Sequence, residues 1–134
     1  MSQNFFQQKI TKPHLDKIST IFRKILPIYL AFLTYMLLKP GVENKEYWFM
    51  FSGIDKLVHV SIFAALGFMF VAAFPKTKWY IYVYIMLIYA FLTEILQDEM
   101  HLGRSLEFFD IVADGIGFFF GYLFYNMIKK WLSK

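Results

Sequence analysis

Residues 108–128 read FFDIVADGIGFFFGYLFYNMI, and this stretch decides the fold. It is apolar for long enough to cross a bilayer, whose hydrocarbon core of about 30 Å takes about 20 helical residues. It nevertheless carries Asp110, Asp114, Gly117 and Gly121 at spacings of three and four, which places them on one helix face. The stripe is charged at its N-terminal end and purely glycine deeper in. Small residues four apart let a second helix approach closely, so Gly117 and Gly121 read as packing residues. Asp114 lies about 10 Å into the span at 1.5 Å per residue. An aspartate at the centre of a span costs about 2.5–3.5 kcal/mol on insertion scales. Asp110 and Asp114 are therefore expected to face a bundle interior or a wet pocket, with Arg104, Lys56 and His59 as partners.

The rest of the chain supplies the other helices. Three more apolar runs cover 25–38, 57–74 and 79–97. With 134 residues, 58% of them hydrophobic, the chain is too small to hide its apolar side chains from water, and lipid must act as its solvent. The predicted fold is an all-α, integral membrane four-helix bundle over 25–134, preceded by an interfacial segment over 1–24. Pro27 is expected near the start of the first helix, where a missing N–H costs least. The first span is expected to be retained rather than cleaved as a signal peptide, because Leu38-Lys39-Pro40 lacks small cleavage-site residues. The short connection 75–78 predicts that the second and third helices are antiparallel neighbours. Trp79, Tyr80, Tyr82 and Tyr84 suit a membrane–water interface.

Charge gives the orientation. Of the 14 Lys and Arg residues, ten lie in the N-terminal tail, the 75–78 loop and the C-terminal tail. The remaining four are Lys39, Lys45, Lys56 and Arg104. The positive-inside rule then predicts that both termini are cytoplasmic, as in a multi-pass protein of a bacterial cytoplasmic membrane. Basic residues flanking apolar spans are not a nucleic-acid-binding face, so no nucleic acid is expected as a partner. The absence of cysteine excludes disulfides and thiolate metal sites.

In that orientation the polar residues gather at one end, on the outer face. Asp55 and His59 stand four apart at the start of the second helix, with Lys56 between them. Asp55 is a candidate N-cap, in competition with Ser52. Glu94, Gln97 and His101 leave the third helix on one face, and Arg104 and Glu107 precede Asp110 and Asp114. Glu94 and Gln97 suit either a hydrogen bond to the fourth helix or a catalytic role. Arg104 suits either neutralisation of Glu107 or Asp110, or an anionic headgroup.

These residues, in this order, resemble the VanZ-like membrane proteins. The matching pieces are Asp55-Lys56-x-x-His59, Glu94-x-x-Gln97, Gly103-Arg104-Ser105-x-Glu107-x-x-Asp110 and Asp114-x-x-Gly117-x-x-x-Gly121. They span the second to fourth helices, roughly half the chain. Many members carry Asn where this chain has Asp114. The resemblance implies a small bacterial membrane protein of the cell envelope. The family takes its name from a protein linked to antibiotic resistance, at low level, against the glycopeptide teicoplanin. It implies a location and a site more than a reaction.

Three functions follow as expectations. The first is binding of an amphiphile at the outer polar cluster: a membrane lipid, a lipid-linked cell-wall precursor or a glycopeptide-like ligand. The second is an accessory subunit packed against a membrane protein partner. The third is an enzyme with His59 as general base, Asp55 orienting it, Glu94 or Asp110 as acid and Arg104 as clamp. Neither Ser61 nor Ser105 sits in a nucleophile elbow. His59, His101, Asp55, Glu94, Glu107 and Asp110 offer nitrogen and oxygen ligands, but no metal signature stands out. Neutralisation by Lys56 and Arg104 is simpler, and no metal or cofactor is expected.

Overall fold

A computed structural model describes residues 2–38, 53–100 and 108–134, without the side chains of 2–12 and of Asp55. It contains four helices: α1 (Ser2–Leu38), α2 (Ile54–Ala73), α3 (Trp79–Glu99) and α4 (Phe108–Leu132). No strand occurs among the described residues. Each helix contains a segment long and apolar enough to cross a membrane. Their outer faces carry large apolar side chains, such as Ile28, Phe32, Tyr84, Phe119 and Phe124, that water would not tolerate in such number. The chain is a multi-pass membrane bundle.

The helices alternate in direction. Ser19 meets Ala73, and Tyr29 meets Ile62, so α1 and α2 are antiparallel. Tyr82 meets Phe118, so α3 and α4 are antiparallel as well. His59 meets Asp114, and Gly121 faces Ala64, so α2 and α4 run parallel. This α2–α4 pair is the most closely packed in the bundle. A side-chain carbon at Gly117 would stand 2.5 Å from the Val60 carbonyl oxygen, and one at Gly121 would collide with that of Ala64. The glycine stripe thus brings the α4 backbone against that of α2, as its spacing predicts.

The sequence reading needs three local corrections. The turn at 75–78 does join antiparallel helices, but the α2 and α3 backbones share little contact. They communicate instead through ring pairs, Phe63 with Tyr89 and Phe70 with Tyr82. Helix α1 is continuous through residue 24, so Pro27 lies in its interior, not near its start. Proline inside a helix leaves the carbonyl four residues back without its usual donor, a defect that neighbouring groups make tolerable in membranes. The start of α2 is set by Gly53, not by Asp55: Gly53 occupies the N-cap position at φ 101°, a left-handed backbone that glycine adopts at little steric cost. Tyr82 is buried in the bundle, whereas Trp79, Tyr80 and Tyr84 are exposed.

Polar groups tie the bundle together at both ends. The Ser19 hydroxyl and the Arg23 guanidinium both donate to the Ala73 carbonyl at the end of α2. At the other end, Gln97 Nε2 donates to the Leu37 carbonyl in the last turn of α1, at 2.6 Å. Carbonyls of a last helical turn lack intrahelical donors, and burial in lipid makes such a partner valuable.

Candidate functional site

The parallel register of α2 and α4 builds the site. Lys56 and His59 lie one turn apart on α2, and Asp110 and Asp114 lie one turn apart on α4. Laid side by side in the same direction, they form two rungs. Lys56 Nζ stands 2.7 Å from Asp110 Oδ1, and His59 Nδ1 stands 2.7 Å from Asp114 Oδ1. The rungs differ in depth. The Lys56 side chain is 35% exposed and marks the mouth, while His59 and Asp114 are sealed. With Asp114 ionised its carboxylate only accepts, and Nδ1 of His59 then donates the shared proton. Asp114 thereby fixes the ring's orientation.

The third wall is α3. Its buried stripe runs Tyr82, Met86, Ala90, Thr93, Glu94 and Gln97. Glu94 is only 2% exposed. One ligand atom from each of His59, Glu94 and Asp110 lies within 4.8 Å of the other two. Three helices therefore converge on one point with a histidine and two carboxylates, and a third carboxylate, Asp114, stands behind the histidine.

Charged groups of both signs meet here among the described residues. Glu94, Asp110 and Asp114 bring three carboxylates, and Lys56 brings one permanent cation.

The structure gathers Lys56, His59, Glu94, Asp110 and Asp114 of the expected residues. Gln97 shares the buried face of α3 with Glu94, and its Nε2 donates to the Leu37 carbonyl on α1. His59 takes Asp114 as its orienting partner. Asp55 lies in α2, but its side chain is outside the described set, as are Arg104, Glu107 and His101. Gly117 and Gly121 pack as expected.

Sequence reading missed the tyrosines. Tyr82 donates to the Phe118 carbonyl, Tyr29 to the Ile62 carbonyl, and the Tyr89 and Thr34 hydroxyls pair at 3.1 Å. The three-and-four spacing from Tyr82 to Gln97 was the available signal, because it puts Tyr82 on the same face as Glu94.

Two hollows accompany the cluster without forming part of it. An apolar groove of about 490 Å³ lies farther along the α2–α4 seam, lined by Ala64, Phe68, Phe120, Gly121 and Phe124, with Phe22 of α1. A cleft of about 570 Å³ opens at the opposite end of the bundle, among Asp16, Arg23, Lys76 and Lys78.

Comparison with known protein families, with curated proteins and with solved structures returns no match to this chain.

Proposed function

We propose that this chain is a VanZ-like protein of a bacterial cytoplasmic membrane, with cytoplasmic termini, that binds the headgroup of an amphiphile at its polar outer end. The candidate ligands are a membrane lipid, a lipid-linked cell-wall precursor or a glycopeptide-like compound. The observation that carries this reading is the burial of His59, Glu94, Asp110 and Asp114 together where three helices meet. A bundle needing only stability would do as well or better with apolar residues there. Ionisable groups within membrane spans mark functional sites as a rule. The apolar groove along the same α2–α4 seam offers a place for an acyl chain. Ligand sites of this kind combine apolar walls with a few convergent polar groups.

The test is binding of a fluorescent lipid-linked precursor or a teicoplanin-type glycopeptide to the purified protein in nanodiscs. The double variant Arg104→Ala/Glu94→Gln is expected to lose binding while keeping its helix content. Retained binding in that variant contradicts the proposal.

A second reading, as an accessory subunit of a membrane complex, draws on the exposed phenylalanines of α4, Phe108, Phe109, Phe119 and Phe120, which could meet a partner helix as well as lipid. A purely monomeric protein in native-detergent purification counts against it. An enzymatic reading keeps His59 as base with Asp114 as its orienting group. Unchanged labelled lipids across pH count against that one.

A further inference from the structure

We infer that the cleft between α1 and the turn joining α2 to α3 holds the phosphate headgroup of an anionic phospholipid. The cleft lies at the opposite end of the bundle from His59 and Asp114. The inference is therefore independent of the proposed amphiphile site, and it holds for either orientation of the bundle in the membrane.

Charge is the first support. The cleft encloses about 570 Å³, and its walls carry Arg23, Lys76 and Lys78 against the carboxylate of Asp16. Among the described residues no carboxylate pairs with any of these cations. Cations that share one hollow repel one another, and an anion placed among them relieves that repulsion. The N-terminal end of α3, with no acidic residue in its first turn, adds positive potential without itself defining the site.

The posture of Arg23 is the second support. Its Nη2 donates to the hydroxyl of the buried Ser19 at 2.8 Å, and its Nε donates to the Ala73 carbonyl at 3.2 Å. Ser19 in turn donates to the same carbonyl, so the anchor is itself held. These partners take the Nε/Nη2 edge of the guanidinium. The other edge, Nη1 with Nη2, is a second fork, and such a fork meets two oxygens of a phosphate at once. A side chain set in place before the ligand arrives lowers the ordering cost of binding. Lys76 and Lys78 add compact charges from the α2–α3 turn.

The apolar part of the walls is the third, and it favours a lipid over a soluble anion. Phe74 and Ile81 line the cleft and are exposed. Trp79 and Tyr80, next along the chain, are exposed as well, and Lys78 Nζ lies 5.8 Å from the centre of the Tyr80 ring. Aromatic rings of this kind sit at headgroup level in a bilayer. Acyl chains below a phosphate held here meet apolar side chains of the membrane-crossing helices, whereas free phosphate gains nothing from them.

The experiment uses the full chain in detergent with equal amounts of dioleoylphosphatidylglycerol and dioleoylphosphatidylcholine, read by native mass spectrometry. Phosphatidylglycerol is expected to stay bound where phosphatidylcholine is lost. Lys76→Gln/Lys78→Gln is expected to cut its retention at least about fivefold. Arg23→Lys, which keeps the charge and loses the fork, is expected to cut it as well. Lys129→Gln/Lys130→Gln removes the same charge from the last turn of α4, at the same end of the bundle but outside the cleft. That pair is expected to leave retention unchanged. All four lysines are exposed, so circular dichroism is expected to show unaltered helix content in both double variants. Excess glycerol phosphate is expected not to displace the lipid. Equal loss of retention in the two lysine pairs would reveal diffuse charge attraction and overturn the inference. Equal retention of phosphatidylcholine, or displacement by glycerol phosphate, overturns it too.

Discussion

His59 and Asp114 stand 55 positions apart in sequence and 2.7 Å apart in space, sealed between two parallel helices. The pair exists because Gly117 and Gly121, one and two turns farther along α4, let its backbone settle against α2. Packing residues thus set the register that the polar residues use.

Replacing Asp114 separates the hydrogen bond from the charge. Asp114→Ala leaves the His59 Nδ1 proton buried without this acceptor, at a cost of about 1–3 kcal/mol. Asp114→Asn keeps an oxygen in place and should cost less than Ala. Unfolding followed by circular dichroism in detergent measures both. Equal destabilisation by Asn and Ala would show that the charge, not the hydrogen bond, is what the bundle needs.

The glycines make a sharper pair of variants. Gly121→Val pushes a side chain into the Ala64 carbonyl and the Phe68 amide, and overpacking of this kind costs about 1–3 kcal/mol or more. At Gly115 an added carbon meets only the Phe118 ring, at 3.9 Å. Gly115→Ala should therefore be neutral, or stabilising by up to about 1 kcal/mol through helix propensity. The same unfolding assay compares them, and a tolerated Gly121→Val contradicts the close α2–α4 contact.

Tyr82→Phe removes the hydroxyl that reaches the Phe118 carbonyl and leaves the ring in place. Hydrogen bonds between membrane helices average about 0.6 kcal/mol, with a maximum of about 1.7. A loss within that range is expected, measured by unfolding in bicelles. A neutral result would mean that the Phe118 carbonyl finds another donor once Tyr82 is gone.

Much of this was legible in the sequence, for physical reasons particular to each element. Apolar length announces a membrane helix, and the four spans were found where the structure has them. Gly117 and Gly121 were legible because small residues four apart have one common use. Lys56 and His59 were among the expected partners of Asp110 and Asp114, yet which pairs with which depends on the register of two helices in space. The hydrogen bond of Gln97 to α1 was not legible, because its acceptor, the Leu37 carbonyl, is a main-chain group that no side-chain pattern records. The burial of Tyr82 was not legible because tyrosine serves membrane interfaces and buried hydrogen bonds alike. Asp55 was one candidate cap because aspartate favours that role, whereas the left-handed Gly53 sets the helix start through its backbone.

The orientation of the bundle is open to a direct test, since the chain has no cysteine of its own. Single cysteines at Thr77 and Ser133 are expected to resist an impermeant maleimide in intact cells, and one at Asn44 is expected to react. The opposite pattern would put the polar cluster on the cytoplasmic side and remove cell-wall precursors displayed outside from the candidate ligands.

The central claim is that the polar end receives an amphiphile. Photocrosslinking tests it most directly, with benzoylphenylalanine at Leu57, exposed beside the cluster, or at Met127, exposed at the far end. The probe is a radiolabelled lipid-linked precursor or glycopeptide added to membranes. Adducts are expected at position 57, lost when Glu94→Gln is added, and none at position 127. Equal labelling at both positions, untouched by Glu94→Gln, would contradict a binding site at the polar end.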